Sequence, residues 1–234
     1  MCGRCTNAQD KMRNKPMTLS DHIIQEAFEN DWHTCFYQPK VESSAEKVTG
    51  VEALFRLNIP EEGVFSPGVF IDRAFALGYE EEIFFSVLEQ SLTEVKSLSA
   101  HLNLAVNISK KVLANPDNVE KVRELLWNTS FKVKQLTFEL SEAEQWDEEL
   151  CEQIKRYKAL GIKISIDDFG VGYSDMNKVM NLDVDEVKFD KSIVNSQESK
   201  VPPRRSKSLS DVAVPFYRFV HSGLGKQSLL LNLI

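Results

Sequence analysis

"KISIDDFGVGYSDM" (Lys163–Met176) places two adjacent acids, Asp167 and Asp168, at the end of an alternating apolar run and ahead of a loop with two glycines. The run is bracketed by Gly161 and Gly170 and carries Ile164 and Ile166 on one parity, which reads as a strand. Neighbouring strand side chains point to opposite faces, so Asp167 and Asp168 cannot both face one core. Alone, an acid pair before Phe-Gly reads equally as a solvated turn or as a built site. The rest of the chain decides.

Working outward, "VDEVKFDKSIV" is a following strand that carries Lys188, after a short helix around Met176–Met180. Upstream, "QLTFELSE" is a strand ending on Glu139 and Glu142, and the helix "WDEELCEQIKRYKALG" joins it to the opening stretch. "LNLAVNIS" is a strand ending on Asn107, followed by the helix "NVEKVRELLWNTS". Before these, "SPGVFIDRAFALG" to "FSVLEQSLTEVKSL" gives two helices. "KVTGVEALFRL" is a strand with Glu52, Leu54 and Arg56 on one face and Val51, Ala53 and Phe55 on the other. "CFYQPKV" is a strand with Gln38, and "TLSDHIIQEAFENDW" is a helix that Ser20 can cap. Strands alternating with helices imply a parallel sheet with crossover helices. Six strands are expected by Val194, whereas a closed (β/α) barrel needs eight and about 250 residues.

The 234-residue chain is 42% hydrophobic, enough for one large domain. It holds no apolar run near the ~20 residues that span a bilayer. Residues 1–18 form a polar leader without a secretory pattern, and a cytoplasmic setting is expected. A net charge of −7 argues against general nucleic-acid binding. Cys2 and Cys5 make a lone CxxC without a second pair, so incidental thiols are expected there, and Cys35 and Cys151 read as small core residues. Residues 195–234 differ from the rest, with Lys200, Arg204, Arg205, Lys207, Arg218 and Lys226 against only Glu198 and Asp211. This basic tail is expected to add one helix, in "SLSDVAVPFYRFVHSGLG", and one strand, in "KQSLLLNLI".

Glu52, Asn107, Glu139, Asp167, Asp168 and Lys188 each fall within or at the end of successive strands. In a (β/α) barrel those ends converge on the face where active sites are built. Any one of these acids reads as a cap or turn residue; together they read as a site. Oxygen donors suit Mg²⁺ or Mn²⁺ rather than zinc, and acids so gathered repel one another without a cation.

The motifs resemble those of the EAL domain family, bacterial phosphodiesterases that hydrolyse cyclic di-GMP. "EALFR" (Glu52–Arg56) is joined by "YQPKV", "VNIS", "FELSE", "DDFGVGYS" and "VKFDKS" in the family's order, over about residues 31–194. The resemblance implies a TIM-like barrel with an antiparallel first strand, with the EAL domain over residues 19–194. It implies that Glu52, Asn107, Glu139 and Asp167 ligate a first metal and Asp168 a second, with Mg²⁺ or Mn²⁺ active and Ca²⁺ inhibitory. Lys188 matches the lysine near the attacking water. Gln38, Leu54, Arg56 and Asp168 match substrate-holding positions, and Glu142 resembles the catalytic-face acid that braces the loop Phe169–Ser174. One aspartate per metal is then the reason for the pair. A homodimer through barrel helices, and sensory or receiver modules in longer relatives, are also implied.

This chain departs from the family pattern as well. Asp72 and Phe75 stand where the family has Pro and Glu, and Val171 and Asp175 differ within the loop. The family's AEGVE-like strand and QG motif do not appear after "KFDKSIV", so a truncated or frameshifted ending, or a cloning boundary, is expected, with an incomplete barrel and impaired turnover. The alternatives are a non-catalytic cyclic di-GMP receptor and a protein-interaction module.

Overall fold

The structure, a computed structural model, describes residues 18–42, 47–141, 147–169, 184–189, 217–218 and 232–233. The expected short helix around Met176–Met180 and the acid Glu142 lie outside the described residues. The chain divides into two compact units, a smaller one of residues up to His33 with Arg56–Tyr79, and a larger one of Thr34–Phe55 with the remainder.

In the larger unit, strands β1 (His33–Glu42) and β2 (Lys47–Ile59) begin the sheet, and β2 passes into the smaller unit after Phe55. β3 (Gly63–Phe65) pairs with the far end of β2. Then come β4 (Asn103–Asn107), β5 (Leu136–Ser141), β6 (Lys163–Phe169) and β7 (Glu186–Phe189). Two-residue strands β8 (Tyr217–Arg218) and β9 (Asn232–Leu233) complete the order β7-β6-β5-β4-β2-β1-β8-β9. β2, β4, β5, β6 and β7 run parallel. Thr49 Oγ1 donates to the Lys40 carbonyl at 3.3 Å while Asn58 N donates to the Trp32 carbonyl at 2.8 Å. Residue numbers thus fall along β1 as they rise along β2, so the first strand is antiparallel, as expected. Among the described residues the sheet is a partial barrel, with β7 and β9 at its edges.

Helices α3 (Glu80–Leu98), α5 (Asn118–Thr129) and α6 (Glu148–Leu160) are the crossovers, with the short α4 (Lys110–Ala114) after β4. Their apolar stripes cover the outer sheet face: α3 packs on β4 and α6 on β6. That outer face is Leu104, Val106, Leu136, Phe138, Leu140, Ile164 and Ile166, all fully buried. Phe138 is wedged edge-on between Phe84 of α3 and Tyr157 of α6, with both ring-centroid distances 5.4 Å. α6 starts at Asp147, whose side chain caps Leu150 N at 2.9 Å, and ends at Gly161 in the left-handed region, φ 98°. β2 and β4 approach so closely that a Cβ on Gly50 would lie 2.7 Å from the Asn103 carbonyl oxygen.

The smaller unit is built on α1 (Asp21–Glu29), which Ser20 caps by accepting from Ile23 N. It buries Ile24, Ala27 and Phe28, and Phe28 stacks flat on Tyr79 at 4.1 Å. The stretch expected as one helix near Phe70 splits into a 3₁₀ turn, Pro67–Val69, and α2 (Ile71–Ala76). Arg73 of α2 forms a two-pronged pair with Asp21 of α1. β2 and β3 make a hairpin whose turn uses left-handed Glu61 and Gly63.

One expectation for the tail changes. Tyr217 and Arg218, placed in a helix by the sequence reading, are a strand pairing Tyr37 of β1 and Leu233 of β9. Pro215 interrupts the helical reading, and "FYRFV" has the aromatic and β-branched content of a strand.

Replacing Phe138 by Ala should cost about 3–5 kcal/mol of unfolding free energy, the usual range for a fully buried aromatic. Urea denaturation of the two proteins checks this; a loss under about 1 kcal/mol would mean that the site readily collapses around the gap.

Candidate metal centre

Strand alternation sorts the parallel strands into an apolar outer set and a polar inner set. The cross-strand register places Ala105 beside Glu52 and Thr137, and runs Asn107–Glu139–Ser165–Glu186 across four strands. Glu52, Asn107, Glu139, Asp167 and Lys188 therefore share one face. Phe138 and Leu140, on either side of Glu139, are buried on the other face. The helices that cover the outer face thereby fix the register of the inner one.

On that inner face one carboxylate oxygen from each of Glu52, Glu139 and Asp167 lies within 4.8 Å of the other two. Lys188 Nζ stands among them, 2.6 Å from Glu139 Oε1, 3.4 Å from Asp167 Oδ2 and 3.8 Å from Glu52 Oε2. Lys40 Nζ approaches the same Glu139 Oε1 at 2.7 Å. Asn107 Nδ2 donates to Glu52 Oε1 at 3.0 Å, which ties the amide to the cluster. The Glu139 side chain is entirely buried, and its Oε2 has no hydrogen-bond partner among the described residues.

The electrostatics follow from that crowding. Burial, then the neighbouring Glu139 charge, pushes the Glu52 carboxyl above its ordinary range, while Lys188, the Asn107 amide and Lys40 pull it back. Burial works against the charge on Lys188, but Glu139, Glu52 and Asp167 outweigh it, so its pKa stands above the ordinary lysine value. Lys188 is a fixed ammonium at neutral pH.

The donors suit a hard divalent cation. They are carboxylates and a carboxamide, with no thiol or imidazole, and an ammonium already sits between them where positive charge is needed. Glu139 Oε2, buried and unpartnered, is an orphan that a cation would satisfy. Of the remaining expected residues, Gln38 on β1 and Leu54 on β2 are half-buried in the larger unit. Arg56 is buried and belongs to the smaller unit. Asp168 lies in β6, and its side chain is outside the described residues. Lys40 was not singled out in the sequence. The available signal was its place two residues beyond Gln38, on the same face of the strand.

The family model described as "EAL domain" matches residues 21–216. The chain belongs to the EAL domain family. Over 180 residues this EAL domain is 31% identical to the bifunctional diguanylate cyclase/cyclic di-GMP phosphodiesterase MucR of Pseudomonas aeruginosa, covering 74% of this chain and 26% of that protein. It is 31% identical over 183 residues to the probable cyclic di-GMP phosphodiesterase PdeB of Escherichia coli, covering 76% and 36%. Against the solved complex of the MucR phosphodiesterase with c-di-GMP it superposes with a TM-score of 0.68 at 32% identity, covering 74% of this chain and 73% of that one. The chain thus spans about a quarter to a third of the length of these two curated relatives. Among the described residues, no helix is long and apolar enough to cross a membrane.

A divalent cation at a hundredfold excess over its Kd should stabilise the fold by about 2.7 kcal/mol, visible as a raised melting midpoint. Glu139→Gln should lose most of that rise, because it removes the buried ligand charge. A rise of equal size in Glu139→Gln would show that the cation binds elsewhere.

Proposed function

We propose that this EAL domain hydrolyses cyclic di-GMP to linear pGpG, using Mg²⁺ or Mn²⁺, in the cytoplasm. The observation that carries the reading is the nest of three carboxylates around one ammonium at the strand ends. The family match and the relatives' named activities support it. In this reading Glu52, Asn107, Glu139 and Asp167 hold one cation, and Asp168 holds a second. A bound cation pair supplies a hydroxide-like water at neutral pH and neutralises the phosphodiester.

The chain's own residues do the positioning. Lys188, whose ammonium lies 2.6 Å from Glu139 and 3.4 Å from Asp167, is in this reading a hydrogen-bond donor that orients the water or a phosphate oxygen. Asp167 is the most exposed of the three acids, with 30% of its side chain open against 17% for Glu52 and none for Glu139, so it lies nearest the entering ligand. Gln38, Leu54 and Arg56 are the substrate contacts, and a guanidinium can fork onto phosphate oxygens. The water's oxygen bonds to phosphorus, the bond from phosphorus to the 3′-oxygen breaks, and the proton the water gives up ends on that oxygen, which leaves as a hydroxyl.

A receptor that only binds the dinucleotide has no need of a fully buried, charge-compensated acid. The retained cluster favours hydrolysis over that reading.

With Mg²⁺ or Mn²⁺ present, the protein should convert cyclic di-GMP to pGpG, followed by chromatography. Glu52→Ala or Asp167→Ala should lower turnover by more than about 100-fold, the upper end for losing even an outer partner of a metal ligand. Cys35→Ser, remote in chemistry, should leave it within a few fold. Undiminished turnover in Glu52→Ala would overturn the mechanism. Dinucleotide binding without any turnover in the unaltered protein would establish the receptor instead.

A further inference from the structure

Two ammonium groups share one carboxylate oxygen. Lys188 and Lys40 both contact Glu139 Oε1, at 2.6 and 2.7 Å, from strands on different sides of the sheet order. They differ in what else they touch. Lys188 also reaches Asp167 and Glu52, whereas among the described residues the Lys40 side chain has Glu139 as its sole ion-pair partner. The proposed mechanism gives Lys188 a task at the water and gives Lys40 none.

Lys40 also has a fixed origin. Its own carbonyl accepts from Thr49 Oγ1 at 3.3 Å, which fastens β1 to β2 at this residue. From there the side chain crosses the inner face to β5, where its Nζ meets Glu139 Oε1 at 2.7 Å. About two-thirds of the Lys40 side chain is covered, with 31% exposed, so solvent screens its charge only in part.

We propose that Lys40 is a resident counter-cation of the carboxylate cluster: it pins Glu139 by Oε1, turns the unpartnered Oε2 toward an incoming divalent cation, and holds the affinity for that cation down. The inference rests on the cluster being a metal centre, as proposed above. The physical ground is competition. Three acids with two ammonium groups are nearly neutral, so the metal-free protein tolerates their burial. The same positive charge opposes a further cation, and Lys40, anchored on β1, does not leave when one arrives. Lys40 thus stabilises the metal-free protein at the expense of metal affinity, two effects of opposite sign on removal. A structural ion pair alone would lower stability without tightening metal binding.

The test is Mn²⁺ binding to the whole chain, read as loss of the free-ion electron paramagnetic resonance signal, with melting followed in parallel. Lys40→Met should bind Mn²⁺ about tenfold more tightly, a figure scaled down from the bare Coulomb interaction for the partial exposure. It should also melt lower without metal. Lys40→Arg, which keeps the charge, should bind as the unaltered protein does. Lys40→Gln, which keeps a donor for Oε1 without charge, should bind more tightly and serves where Lys40→Met does not fold. Unchanged or weaker Mn²⁺ binding in both neutral variants would overturn the proposal. Glu139→Gln separates the two levels: if it binds Mn²⁺ as tightly as the unaltered protein, the metal-centre reading itself fails, and this inference with it.

Discussion

Glu139 is a carboxylate with no exposed surface, held inside a sheet by ammonium groups at 2.6 and 2.7 Å. An isolated buried charge costs several kcal/mol even after the protein relaxes, and it survives only with paired and hydrogen-bonded neighbours. Much of the larger unit meets that demand. β7 delivers Lys188, β1 delivers Lys40, and β4 delivers the Asn107 amide that steadies Glu52. The antiparallel first strand matters here, because it brings a lysine to an acid of β5 from far away in sequence order.

The same constraint reaches outward to the core. A slip of one residue in any strand would turn its acid to the helices and its Ile or Phe to the site. The apolar outer set, with Phe138 gripped between Phe84 and Tyr157, makes such a slip prohibitively costly. Packing under α3 and α6 is therefore what positions the carboxylates. A site of the proposed kind would tolerate little error, since the ligands of a metal must meet within a fraction of an ångström. The short approach of β2 to β4 at Gly50 belongs to the same requirement, for it sets how near Glu52 lies to Asn107.

A cluster held this way has two states of charge compensation, internal and external. Internally, Lys40 and Lys188 offset most of the charge on Glu52, Glu139 and Asp167. Externally, in the proposed metal-bound state, a divalent cation would take over part of that role. In the internal state Glu139, Glu52 and Asp167 hold the Lys188 ammonium above the ordinary lysine value.

Much of this was legible in the residues themselves. Period-two alternation around "ISID", "LTFEL" and "LAVN" determined which side chains face the helices and which face inward, because a strand has only two faces. The order of strands and helices determined the parallel sheet, and the acids at successive strand ends pointed to the cluster of Glu52, Glu139 and Asp167. Tertiary structure decided the rest. The convergence of Glu52, Glu139 and Asp167 within 4.8 Å depends on strand stagger, which no local pattern encodes. Lys40 is an ordinary strand lysine until β1 is laid antiparallel beside β2, and the strand at Tyr217–Arg218 exists through its pairing with Tyr37. Alternation is a property of neighbours along the chain, whereas a charge pair across ninety-nine positions of sequence, Lys40 to Glu139, is a property of the fold alone.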